Sequence, residues 1–245
     1  MSKVCYTCTN KHYKNTYDST IQTFIEERLP RKFNIKHNKN KNKKVIHNLK
    51  PNKKIFYFAT KKCKNCLKIN KFEDAYHNLE NSGITKTNSN GDATLYLDCP
   101  QVYKSLDGNV YHRHLHFLYF DEKTKNWNTK LYTQPLTCVV NEIFVKKNLK
   151  KFLVINALPK KYFEEKSIKG SINIPYNKSL KNIENSMIEI VGKLNNKKKQ
   201  LPIIVYCYSK KCDAGEKLIN KLNKLGYHNL YDYKNGISEW SGLLN

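Results

Sequence analysis

The order of apolar runs after about Leu149 limits the fold more than any other feature of this chain. FLVINAL (152–158) is a short, uninterrupted apolar run and reads as a buried strand. SINIP (171–175) is a second, shorter one. SLKNIENSMIEIVGKL (179–194) then places Leu180, Ile183, Met187, Ile190, Val191 and Leu194 at helical spacing. LPIIVYC (201–207) is a very apolar strand, and DAGEKLINKLNKLG (213–226) sets Ala214, Leu218, Leu222 and Leu225 on one helical face, with Gly226 closing it. NLYDY and GISEW add a last strand and a final turn. Strands that alternate with helices predict a parallel-sheet α/β domain.

The pattern upstream is different. IFYFAT (55–60) reads as a buried strand, and NSNGDATLYLD (88–98) as a turn at Asn90–Gly91 leading into another. VYHRHLHFLYFD (110–121) reads as one long strand. Its alternation puts Tyr111, Arg113, Leu115, Phe117 and Tyr119 on one face and His112, His114, His116, Leu118 and Phe120 on the other. TQPLTCVVNEIFV (133–145) supplies a further extended stretch. These runs predict a mostly-β, sandwich-like domain before the α/β domain. Residues 1–30 carry a short helix around STIQTFIEERLP, and residues 31–54 are a Lys/Asn-rich tract read as solvated loop. The expected organisation is a basic segment over 1–54, a β-rich domain over 55–142 and an α/β domain over 143–245.

The net charge of +25 comes from 45 basic and 20 acidic residues. Such a field attracts small anions and retains nucleic acid non-specifically at low salt. Only Arg28, Arg31 and Arg113 are arginine, however, and the planar fork of arginine is what reads bases and phosphates. The lysine and asparagine excess also follows from A-rich codons, so nucleic-acid recognition is a minor reading. No run approaches the ~18 apolar residues of a membrane span. MSKVCYTCTNKHYK has no apolar segment of the kind that directs export, so a cytoplasmic setting with reduced thiols is expected.

The eight cysteines then become candidates for metal binding or catalysis. Cys5-x-x-Cys8 and Cys63-x-x-Cys66 are two pairs suited to a structural tetrahedral zinc, with four unrelated thiols as the alternative. His112, His114 and His116 share a strand face, a layout that serves a metal or simple aromatic packing equally well.

Cys207 stands at the end of a buried strand, before a short loop and a helix. In open α/β sheets ligands bind at that edge. Loop amides, the helix N-terminus and the charges of Lys210 and Lys211 are expected to lower the thiol pKa and to cradle an anion over Tyr208, Ser209, Lys210, Lys211 and Cys212. The alternative is an inert buried cysteine. Cys212 has two readings: a thiol that resolves a persulfide on Cys207, or a packing residue in the first helical turn.

The last hundred or so residues resemble a rhodanese domain, the family of sulfurtransferases that carry a persulfide on a cysteine. The resemblance rests on FLVINALPKKYFEEKSIKGSINIPYN, with Ile168, Gly170, Asn173, Ile174 and Pro175 in place. It continues in the strand IIVYC and in LGYHNLYDYKNGISEW, closed by Trp240. It implies sulfur transfer through Cys207 from thiosulfate or a persulfide to a thiol acceptor, with no cofactor required. Three positions depart from the pattern: Asn156 for an aspartate, Leu158 for an arginine and Ser167 for a histidine. No arginine follows Arg113, so the fork that binds phosphoryl oxygens in related phosphatases is missing. Upstream, TNSNGDATLYLDCPQVY followed by RHLHF is remotely similar to transthyretin-like β-sandwiches, which bears on fold only. The alternatives to a sulfurtransferase are a rhodanese fold kept as an inactive docking module, its protein partner chosen by the N-terminal domain, and a basic nucleic-acid binder.

Overall fold

Residues 24–25, 27–30, 42–62, 70–104, 110–111, 113–128, 130–195 and 197–245 are described by the computed structural model. Two compact units divide the chain. One takes residues 1–64, 70–101 and 114–136, and the other 65–69, 102–113 and 137–245.

The first unit is antiparallel. β1 (Asn42–Ile46) pairs with β4 (Ala93–Leu97). A second sheet is built from β2 (Lys54–Ala59), β3 (Ser82–Lys86), β5 (His114–Asp121) and β7 (Tyr132–Pro135) in the order β7-β5-β2-β3, with β6 (Asn126–Trp127) paired to β5. Ile46 and Leu95 of the small sheet and Ile55, Tyr57, Leu115 and Phe117 of the larger one belong to one buried core. Two sheets sharing inner faces is the sandwich-like arrangement that the alternating runs predict. A short helix, α1 (Phe72–Tyr76), lies between β2 and β3 in the chain.

Three readings of this region are corrected. The tract 31–54 is not all solvated loop, because β1 forms within it. Its side chains are exposed as far as Val45, so backbone pairing with β4 and the single buried Ile46 hold it. The run 110–121 is not one strand. The ladder of β5 starts at His114, while Arg113 is buried in the second unit. Its guanidinium donates to Leu230 O at 3.0 Å and to Asn229 Oδ1 at 2.5 Å and stacks 4.1 Å from the Tyr231 ring. A buried guanidinium needs acceptors, and that demand outweighs strand continuity. The run 133–145 is extended only to Val139, where Asn141 accepts from Phe144 N and caps a helix. Of the helix expected around 19–30, Phe24 and Ile25 are helical and most of the rest lies outside the described residues.

The second unit holds a five-stranded parallel sheet. Its strands are β8 (Cys138–Val139), β9 (Leu153–Asn156), β10 (Ile172–Asn173), β11 (Ile203–Tyr206) and β12 (Leu230–Tyr233), in the order β8-β12-β11-β9-β10. The helices are α2 (Glu142–Asn148), α3 (Lys160–Glu165), α4 (Leu180–Val191) and α5 (Ala214–Lys224). Leu218 and Leu222 of α5 and Ile183 and Met187 of α4 are buried in one core with Ile155, Ile203 and Val205. The stripe expected on α4 is narrower than its spacing implies: Leu180 and Ile190 are exposed, because only one turn-to-turn ridge meets the sheet. Among the described residues no helix is long and apolar enough to cross a membrane.

The cysteines divide by chemistry. Cys99 and Cys138 each belong to a disulfide whose partner lies outside this description, whereas Cys207 and Cys212 are free thiols. This corrects the expectation of reduced thiols throughout. Bonding requires Cβ atoms within about 4.5 Å, a juxtaposition that linear spacing does not reveal.

Candidate active site at the Cys207 loop

From β9 the chain steps to β10 on one side, then crosses back to β11 on the other side of β9. The C-terminal ends of β9 and β11 therefore flank the point where the winding reverses, which is where ligands enter open α/β sheets. Cys207 follows β11 directly and is buried, and its loop runs through Cys212 before α5 begins at Ala214.

The loop is held from below. Ile237 N donates to Cys207 O and Ser238 N to Tyr208 O, both at 2.9 Å, and Cys212 N donates to Ser209 O at 2.9 Å. Gly236 makes the first two bonds reachable. Its φ is 65°, and a Cβ there would sit 2.5 Å from both carbonyl oxygens. The Gly-Ile segment noted in the sequence is thus the floor under the loop. Within the loop, the backbone N–H groups of Tyr208, Ser209, Lys210 and Lys211 meet no protein acceptor among the described residues. Four adjacent donors are left to meet an incoming anion.

Around the sulfur the balance is less simple than the sequence suggests. The Gly215 backbone N–H favours the thiolate of Cys207, the effect expected of a helix start. Gly215 also lacks the Cβ that would lie 3.8 Å from Sγ and 3.5 Å from Asp232 Oδ1. Against this stand burial, which is the largest effect, a hydrogen bond with the Cys212 side chain, and the charge of Asp232. Together they push the Cys207 thiol up to about 12. The lowered pKa expected from sequence is therefore corrected: desolvation outweighs one amide. The thiol donates to Cys212 O at 3.3 Å, as a neutral S–H would.

Lys210 and Lys211 are exposed, and Lys210 pairs with Glu239 at 3.2 Å. They add to the field at the loop mouth and do not touch the sulfur region of the loop interior. Cys212 is half-buried against the α/β core while bonding the Cys207 side chain, so it packs and faces the nucleophile at once. Cys5, Cys8, Cys63 and Cys66 lie outside the described residues. Among the described residues no group of three or more His, Cys, Asp or Glu side chains is placed to hold a metal ion.

The departing positions are rebuilt by other contacts. Asn156 Oδ1 accepts from Leu158 N at 2.8 Å, and its amide nitrogen closes no hydrogen bond of ordinary geometry. Leu158 is buried in the apolar core where the pattern has an arginine. Ser167 Oγ accepts from Asn245 Nδ2 at 3.1 Å. Tyr206 does the bracing: its hydroxyl accepts from Ile168 N at 2.9 Å and lies 2.8 Å from Ser171 Oγ.

Residues 144–243 match the family model of the rhodanese-like domain. This region is a rhodanese-like domain. The chain is similar over part of its length to several solved structures. The BH2092 protein of Bacillus halodurans is 22% identical over 44% of this chain and 77% of that one, with a TM-score of 0.36. The single-domain sulfurtransferase RDL2 of Saccharomyces cerevisiae is 18% identical over 44% of this chain and 92% of that one, TM-score 0.36. A rhodanese with anions from E. coli is 18% identical over 38% and 95%, TM-score 0.30. No curated protein matches. Within the rhodanese-like domain, sequence reasoning found Cys207 and its loop but missed Gly215, Asp232 and Tyr206 as its neighbours. The strand ending Tyr-Cys and the glycine one turn into the helix were the available signals.

Proposed function

We propose that the rhodanese-like domain transfers sulfane sulfur through Cys207. The observation that carries this is the pairing of a buried strand-end thiol with four loop amides that meet no protein acceptor among the described residues. The thiolate of Cys207 attacks the outer sulfur of thiosulfate. The S–S bond of the donor breaks, sulfite leaves with its electron pair, and Cys207 carries Cys–S–S⁻. The terminal sulfur lies one S–S bond, about 2.05 Å, beyond Sγ, away from the burial that disfavours charge on Sγ itself. A thiolate acceptor then takes that sulfur and returns Cys207 as thiolate. At neutral pH the resting residue is a thiol, so sulfur transfer draws on a small thiolate fraction and quickens as pH rises.

A specific observation favours a second reading. A thiol pushed up to about 12, beside the substituted Asn156, Leu158 and Ser167, suits a rhodanese fold retained for docking. Intact mass spectrometry after incubation with thiosulfate, or with a small-molecule persulfide, separates the two. A single-sulfur adduct that cyanide removes and that Cys207→Ser lacks supports sulfur transfer. No adduct from either donor supports docking.

A further inference from the structure

The loop carries a second thiol that the sulfur-transfer steps above leave unused. Cys212 comes five residues after Cys207, and the chain between them turns back on itself. Cys212 N donates to Ser209 O at 2.9 Å, while Cys207 Sγ lies 3.9 Å from Ser209 O and 3.3 Å from Cys212 O. The loop therefore wraps the sulfur and brings residue 212 back to it. Both residues are free thiols, and Cys212 packs against the core cluster that contains Cys207. The Cys212 side chain is also a hydrogen-bond partner of the Cys207 thiol.

Two features set Cys212 apart from a packing residue. The first is reach. A disulfide needs Cβ atoms about 3.5–4.5 Å apart, and Cys207 Sγ already touches the backbone of residue 212, so closure is a local adjustment of the loop.

The second feature is charge. Lys217, in the first turn of α5, is raised chiefly by its bond to Asp213, at 2.8 Å, and also by the charge of Cys212. A thiolate on Cys212 thus has an ammonium near it, whereas a thiolate on Cys207 faces the charge of Asp232. That field suits Cys212 as the sulfur that attacks and Cys207 as the sulfur that is attacked.

We propose that Cys212 is a resolving thiol, which attacks Sγ of the Cys207 persulfide, closes a Cys207–Cys212 disulfide and releases the terminal sulfur as hydrosulfide. The inference rests on the persulfide proposed above and gives it an outlet other than an acceptor thiol. The Cys212 S–H proton passes to the leaving sulfur. The S–S bond of the persulfide breaks, its electron pair leaves with HS⁻, and a bond forms between the two Sγ atoms. The sulfane sulfur gains two electrons, and the two cysteines together lose two. A soluble dithiol then reduces the loop disulfide through a mixed disulfide and is itself oxidised to a cyclic disulfide. In this cycle the domain converts sulfane sulfur into sulfide at the expense of a dithiol.

The test uses the full chain, freed of reductant and incubated with thiosulfate, which releases no sulfide by itself. Sulfide is measured, and the alkylated protein is digested with trypsin without reduction. Lys210 and Lys211 lie between the two cysteines, so peptides 200–210 and 212–217 remain joined only through the disulfide. The wild type should release about one sulfide per chain and yield joined peptides. Cys212→Ala should release none, and its single-sulfur adduct on Cys207 should outlive that of the wild type at least about tenfold, because the intramolecular attack is lost. A wild-type adduct as long-lived as that of Cys212→Ala, with the peptides unjoined, would overturn the resolving thiol and leave transfer through Cys207 standing. No adduct in Cys212→Ala, from thiosulfate or from a small-molecule persulfide, would overturn both. Cys212→Ser keeps the size of the side chain and gives the same readings if Cys212→Ala fails to fold.

Discussion

The Cys207 loop and a buried cluster of the β unit, where Tyr76 meets His114 and His116, are built in opposite ways. The loop assembles its chemistry from neighbours in sequence: nucleophile, amides, Cys212 and Gly215 follow one another between β11 and α5. The cluster joins residues 38 and 40 positions apart, with Thr133 another 17 beyond His116. The loop lies at the sheet edge where N–H groups remain open to an incoming anion, whereas the cluster is buried. A site built locally keeps a recognisable order of residues. A cluster built across a sheet shows only when the strands are paired. The same contrast separates the two units: parallel strands with helical crossovers advertise themselves, and short antiparallel strands do not.

The largest effect expected is at the loop. Cys207→Ser should reduce sulfur transfer on the order of 10³-fold or more, with the melting temperature nearly unchanged. Equal activity in the variant would remove the nucleophile from this site. Gly236→Ala tests whether the loop is as local as its sequence order implies. A Cβ 2.5 Å from two loop carbonyls, at a positive φ, should cost about 2–3 kcal/mol and abolish the persulfide adduct. A variant with wild-type melting and wild-type adduct would show that the floor does not matter.

Tyr206→Phe removes the acceptor for Ile168 N and the partner of Ser171. The cost should be about 1–3 kcal/mol, seen as a lower urea midpoint. Alkylation of Cys207 by iodoacetamide examines the raised pKa directly. The protonated form is favoured, so the rate should climb about tenfold per pH unit from pH 7 to 10, with no plateau near 9. A plateau below pH 8 would mean that the amides win over burial after all.

The smallest effect concerns Glu142, held down to about 2 chiefly by the Ser241 backbone N–H and then by Lys146 and the Ser241 hydroxyl. Its folded pKa is depressed. Its contribution is therefore present above the ordinary carboxylate value and lost as pH falls toward 2. Glu142→Gln should flatten the fall in melting temperature between pH 5 and 2 slightly. An unchanged slope would place the acid sensitivity elsewhere.

Much of the α/β unit is legible residue by residue. Leu218 and Leu222, four apart, face the core because a helix of 3.6 residues per turn must present them together, and IIVYC is a strand because nothing in it tolerates solvent. Cys207 is found for the same reason: its position depends on the two elements beside it. What resists reading depends on balance or on distance. The Cys207 pKa is a contest between Gly215, Cys212, Asp232 and burial, and the sequence names the favourable partner without its opponents. Arg113 alternates correctly for a strand yet leaves it, because its acceptors, Asn229 and Leu230, come from far along the chain.

By itself, then, the sequence determined the strand–helix order, the parallel sheet and the placing of a cysteine at its edge, since each follows from short-range periodicity and excluded volume. Tertiary structure alone decided the charge state of that cysteine, the oxidised state of Cys99 and of Cys138, and the meeting of Tyr76 with His114 and His116. Desolvation, covalent pairing and the convergence of polar atoms are set by which surfaces pack together, and that is not written in the spacing of residues along one strand.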